Sequence, residues 1–164
     1  MNLRLTERMR DWIEGLGCHV CAAPIGVPNV VMAPLARIAG SARVAFPLSR
    51  DEVRTLFADR FYRSWVVFGV SHLGAIRAPY QFKGIAHIAY EGDHLFQLKK
   101  EYEKQVGYEA GGVLIVHVRE IYCTKPGHLA GQRIDTLGYE GMVSLEKELG
   151  WFDTPAFYED HEKY

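Results

Sequence analysis

The sequence predicts a mainly β (α+β) fold, with six antiparallel strands forming a barrel and short helices flanking it. Three observations lead there. Strand-like runs follow one another through short turn signals, as CHVCAA and VPNVVMA do around Pro24-Ile25-Gly26. The helical stretches between strands are few and short. Strands and helices do not alternate regularly, as a parallel α/β sheet would require.

Taken in order, the first element is a helix. Thr6 can cap it, Met9, Trp12, Ile13 and Leu16 recur on one face, and Gly15 and Gly17 supply stop signals. The hairpin CHVCAA/VPNVVMA follows. A third strand, ARVAF, comes after the turn-like Ala39-Gly40-Ser41, and Pro47 ends it. Ser49 and Glu52 then form a capping box ahead of Val53, Leu56 and Phe57, the buried stripe of a short helix. SWVVFGV is an almost wholly apolar strand. In APYQFKGIAHIAYEG the residues Tyr80, Phe82, Gly84 and Ala86 share one side, and Gln81, Lys83, Ile85 and His87 the other. Glu91-Gly92-Asp93 turns the chain into a helix from Leu95 to Val106, carried by Leu95, Leu98, Tyr102 and Val106. GVLIVHVREIY is the last strand. A further helix is expected near Val143 to Leu149, before the aromatic, acidic end FYEDHEKY.

The 164 residues fit one domain, 1–164, with 123–164 as a C-terminal extension. A net charge of −1 with no long charge run argues against a broad nucleic-acid face. No apolar run approaches the roughly 20 residues of a membrane span. MNLRLTERMRDW has no apolar core of a secretory signal, so a cytoplasmic protein is expected. Three cysteines cannot all pair within one chain, which favours reduced thiols.

Cys18-His19-x-Cys21 has the look of a redox or metal motif, but on a strand two residues three apart point to opposite faces. No second ligand pair stands at zinc spacing, so no metal is expected. The histidines do not cluster: His87 and His117 lie in strands, and His72, His94, His128 and His161 in turns or tails. Gly111-Gly112 precedes a strand, not a helix, so it is no dinucleotide fingerprint. SRDEVRT, Ser49 to Thr55, is the most suggestive stretch. A helix start leaves amide N–H groups unpartnered and favours an anion; Arg54 adds a planar cationic fork and Thr55 a hydroxyl. The same stretch also reads as an ordinary capped surface helix, and Asp51 and Glu52 would repel a phosphate unless they turn outward.

The order GVPNVVMAP, SARVAFPLSRDEVRT, RSWVVFGVS, YQFKGIAHIAYEGD, VLIVHVREIY resembles the FMN-binding split barrel of the pyridoxamine 5′-phosphate oxidase-like superfamily. Gly26-x-Pro28 and Lys83-Gly84-Ile85-Ala86 match its motifs, over roughly Gly17 to Tyr122. The resemblance implies FMN as cofactor. Arg54 and Thr55 would hold its phosphate, with Asp51 and Glu52 turned outward. Val31, Met32 and Ala33 would line the isoalloxazine, partly through backbone N–H groups. Phe46 and Pro47 would sit beside the ribityl chain, with Arg63 or Trp65 as further contributors. It also implies a homodimer with flavin sites at the interface and a flavin-dependent oxidoreductase or reductase, its electron donor a nicotinamide or other small molecule. The alternatives are a non-catalytic electron-transfer flavoprotein, or a split barrel binding haem (through His128 or His161) or coenzyme F420. The acidic end lacks the Arg-rich substrate motif of a true pyridoxamine 5′-phosphate oxidase. Lys125 to Gly131 reads as a connecting loop that could also line the pocket mouth.

Overall fold

The computed structural model describes residues 2–57, 63–70, 80–124 and 128–148. Its elements run α1 (Glu7–Leu16), β1 (Cys18–Ala22), β2 (Asn29–Ala33), β3 (Arg37–Gly40), β4 (Arg43–Leu48), α2 (Arg50–Phe57), β5 (Ser64–Val70), β6 (Tyr80–Ala89), α3 (Asp93–Val106), β7 (Gly112–Cys123) and α4 (Gly138–Glu148), with a short 3₁₀ turn at Asp135–Leu137. The strands form one sheet in the order β2-β1-β5-β6-β7-β4-β3, every pairing antiparallel. The sheet curls into a half-barrel around its inner face.

The described residues form seven strands where the sequence predicts six. The additional one is β3, whose four residues include Ala39 and Gly40, read from sequence as a turn. Its partner β4 supplies the pairing, Arg37 opposite Ala45 and Ile38 opposite Val44, and the turn itself is shorter and later. Four residues are too few for a period to show. The last helix also starts earlier than expected, at Gly138.

Most other elements form as their residues dictate. Thr6 Oγ1 accepts from the Met9 amide at 3.2 Å, so α1 carries its cap, and Met9, Trp12 and Ile13 are buried. The turn at Gly26 has φ of +85° and closes with Gly26 N–H donating to the Ala23 carbonyl at 3.1 Å. Tyr80, Phe82, Gly84 and Ala86 face inward together, as the alternation requires. Gly84 has a backbone reason: a Cβ there would lie 2.3 Å from the His117 carbonyl oxygen, at the register shift between β6 and β7.

The main core fills the inner face. Phe68 stacks on Phe82 with centroids 4.9 Å apart and meets Phe46 edge-on at 5.1 Å. Each such ring contributes about 1.5–3 kcal/mol through burial. Leu56 and Phe57 of α2 and Met142 of α4 join this core. A second apolar cluster lies on the outer face, where Leu95, Leu98 and Tyr102 of α3 cover Ala45, Val113 and Ile115. Beyond β7 the chain folds back, with Ile134 N–H donating to the Ile121 carbonyl at 2.8 Å. Among the described residues no helix is long and apolar enough to cross a membrane.

Candidate cofactor-binding site

β4 runs straight into α2 through Ser49. The capping box forms in both directions: the Glu52 amide donates to Ser49 Oγ at 3.1 Å, and the Ser49 amide donates to Glu52 Oε1 at 2.8 Å. The same Glu52 oxygen accepts a 2.8 Å hydrogen bond from the Tyr102 hydroxyl on α3. Glu52 is therefore not turned outward, contrary to the expectation above. Its carboxylate occupies the positive end of α2 and complements the dipole there. Gly111 closes the same end: a Cβ on it would lie 2.5 Å from the Arg50 amide nitrogen, and its N–H donates to the Leu48 carbonyl at 2.8 Å. Asp51 is exposed, as expected.

Arg54 and Thr55 lie further along α2, both exposed. The Thr55 hydroxyl donates to the Asp51 carbonyl at 2.9 Å, the common back-bond of a helical threonine. α2 packs against β2, and β4 leads into α2, so the sequence-derived residues of β2, β4 and α2 do meet at one end of the barrel. Their side chains do not share one surface. Strand alternation puts Val31 and Ala33 in the core and leaves Met32 outside, 49% exposed. Phe46 is wholly buried against Phe68. Pro47 is buried opposite Val113. At Ala33 and Phe46 a ligand would therefore meet backbone only. β2 is an edge strand, paired on one side to β1, and so keeps backbone groups on its other edge outside the ladder.

The outer face of the sheet carries an apolar stripe. Val30 and Met32 of β2 and Trp65 of β5 are each about half exposed. Cys21 and Val67 continue it, in register with Val30 and with Lys83. Lys83 lies over the Tyr122 ring at 4.4 Å. Arg63 is exposed just ahead of β5.

Cys18 faces the core and Cys21 the outer surface, as strand geometry requires, and burial pushes the Cys18 thiol up to about 12. The three cysteines form no disulfide. Among the described residues no three His, Cys, Asp or Glu side chains converge as metal ligands. His128 is exposed, while His72, His161 and residues 125–127 lie outside the described residues.

Two arrangements had no legible signal in the sequence. A cavity of ≈ 570 Å³ opens between α3 and the outer face of β3, β4, β6 and β7. Its residues come from five separate segments, which the successive pairing of β3, β4, β7 and β6 and the packing of α3 bring together. The second is a buried carboxyl: Thr6 Oγ1 donates to Glu146 Oε1 at 2.5 Å, and Glu146 is fully buried. Burial raises the Glu146 pKa, against the lowering effects of Thr6, Tyr80 and Arg8.

Solved structures of similar shape carry related folds. HupZ of group A Streptococcus superposes with a TM-score of 0.60 at 23% identity, over 77% of this chain and 99% of its own. The fold is the split barrel. A candidate pyridoxamine 5′-phosphate oxidase from Lactobacillus delbrueckii gives a TM-score of 0.53 at 12% identity, covering 73% of this chain and 93% of its own. An FMN-binding protein from Syntrophomonas wolfei gives 0.56 at 11% identity, covering 74% and 87%. At these identities the likeness is one of fold. No protein-family model matches the chain, and no curated protein matches it by sequence. Among the described residues the inner face is a packed core, while the free edge of β2 and the wedge under α3 are open on the outside of the sheet.

Proposed function

We propose that this protein is an FMN-binding flavoprotein of the cytoplasm, built as one domain with 123–164 as its extension, working as a homodimer and acting as a flavin-dependent oxidoreductase. The observation that carries the reading is the meeting of α2 with the edge strand β2, in a fold shared with a protein described as FMN-binding. It puts exposed Arg54 and Thr55 at the same end of the barrel as unpaired strand backbone and the exposed apolar Val30 and Met32.

The residues fit a flavin phosphate through side chains rather than through the helix end. Glu52 fills the end of α2 and excludes a second anion there. The Arg54 guanidinium is exposed and can donate to phosphate oxygens, and the Thr55 hydroxyl can do so by exchanging its bond to the Asp51 carbonyl for one to the phosphate. Backbone groups on the free edge of β2 suit the polar rim of an isoalloxazine, and Met32 its apolar face. FMN, when bound, supplies reversible hydride and electron transfer. The chain's own part is to bind, orient and cover it. A second subunit on the stripe of Val30, Met32 and Trp65 would exclude water from the ring and remove an exposed apolar surface.

The test is the visible absorption spectrum of the purified protein, before and after adding FMN and desalting. Flavin bands retained at about one FMN per chain support the reading, and a protein that retains none overturns it. With flavin retained, NADH or NADPH oxidation faster than free FMN marks an enzyme with a nicotinamide donor. A rate no faster than free FMN favours another small-molecule donor or a non-catalytic electron carrier.

A further inference from the structure

We propose that the wedge between α3 and the outer face of the sheet is a binding site for a small organic anion, an oxyanion group on a flat apolar body, separate from the surface assigned to the flavin. The floor is a single row across four strands. Arg37 pairs with Ala45, Ala45 with Ile115, and Ile115 with His87. Directly opposite residues of neighbouring strands point to the same face, so two apolar side chains, Ala45 and Ile115, lie between a guanidinium and an imidazole. The next row places Arg43 opposite His117. From above, α3 lays Leu95 and Leu98 onto Ala45 and Ile115, and turns His94 and Glu101 toward the same opening. The cavity of ≈ 570 Å³ is within the range of small-molecule sites.

The charges decide the class of ligand. Glu101 is the sole acid among the described lining residues, and it is held by Arg37 at 2.7 Å. The Arg43 side chain has no hydrogen-bond or ion-pair partner among the described residues, and the same holds for the His94 side chain. His87 meets His117 ring to ring, with centroids 5.7 Å apart. Arg43 and the imidazoles of His87 and His94 thus converge on an apolar floor, and among the described lining residues no acid is left to neutralise them. That imbalance has a consequence within the protein: partial burial, then Arg43 and His87, lower the His117 pKa. A bound oxyanion would accept from the Arg43 fork and from His94 and His87, and its apolar body would cover Ala45, Ile115, Leu95 and Leu98. A cation would be repelled, and a neutral apolar molecule would leave the donors unpaired.

The experiment is a calorimetric titration of the whole protein with benzoate and with phenyl phosphate, run with and without saturating FMN. Benzamide serves as the uncharged isostere and inorganic phosphate as the headgroup alone. The expected result is that at least one of the two aryl anions binds about tenfold or more tightly than benzamide and inorganic phosphate, and Arg43→Gln weakens it about tenfold or more. Whichever anion binds better distinguishes a carboxylate site from a phosphate site. Arg43 is exposed, so the variant keeps its core; His94→Gln, also exposed, gives a second, independent reading and is expected to weaken binding in the same sense. Equal binding of benzamide, or an affinity unchanged in both variants, overturns the proposal. Displacement of the aryl anion by FMN also overturns it, since the flavin would then own the wedge. Because the titration runs without FMN too, failure of the flavin reading leaves this test intact.

Discussion

The Tyr102 hydroxyl on α3 donates a 2.8 Å hydrogen bond to Glu52, the residue that closes the capping box of α2. Two helices fifty residues apart are thereby tied at one carboxylate. Burial, then the Glu52 hydrogen bond, raises the Tyr102 pKa, so the phenol stays protonated and remains a donor across the ordinary pH range. Tyr102→Phe keeps the ring and removes this bond, together with the hydroxyl's contact with Tyr108. The expected loss is about 1–2 kcal/mol, the usual scale for a hydrogen bond to a charged group. Urea denaturation midpoints of the two proteins measure it, and equal midpoints would refute the link.

Gly84→Ala is expected to be far more damaging than its one methyl suggests. The added Cβ would stand 2.3 Å from a backbone carbonyl oxygen in the neighbouring strand, and a strand cannot yield as a flexible side chain can. A loss of about 2–3 kcal/mol is expected, seen as a lower Tm in a thermal melt.

Glu146 governs a pH effect. Its folded-state pKa is raised above the ordinary glutamate value of about 4.3. A raised acid stabilises the fold while protonated, and that contribution is lost as pH rises through the folded value. The native protein should therefore lose stability relative to Glu146→Gln as pH rises from about 4.3 toward neutrality. Paired denaturation curves across that range check it, and parallel curves would exclude it.

Met32→Glu tests the apolar stripe. Met32 is 49% exposed, so a charge there leaves the core alone. The expected outcome is a folded monomer in place of the proposed dimer, read by light scattering after size exclusion. A dimer that survives the change, and survives Trp65→Glu as well, would place the dimer contact elsewhere.

Arg54→Ala should weaken FMN binding by about 1.5–3 kcal/mol, the scale of a charged hydrogen bond. An unchanged dissociation constant, read from flavin fluorescence, would remove Arg54 from the site.

Secondary structure was legible wherever a period could repeat. Tyr80 through Ala86 shows its alternation over seven residues, and Leu95, Leu98 and Tyr102 show helical spacing over two turns, so both faces could be assigned from letters alone. The capping box at Ser49 and Glu52 was equally local. The direction in which Glu52 points was not local, because Tyr102 on another helix and the close approach of Gly111 decide it. β3 shows the same limit at the level of an element: Arg37–Gly40 is a strand because β4 offers it a ladder, not because its own four residues demand one.

The sequence by itself determined the antiparallel β character, the caps, the inward and outward sides of the long strands, and the opposite facing of Cys18 and Cys21. Each of these follows from neighbours within one turn or one hairpin. Only the tertiary structure decided that Arg37, Arg43, His87 and His94 surround one cavity, and that Glu146 meets Thr6 140 positions away. Such groupings arise from the curl and strand order of the sheet, and long-range register leaves no trace in a local pattern of residues.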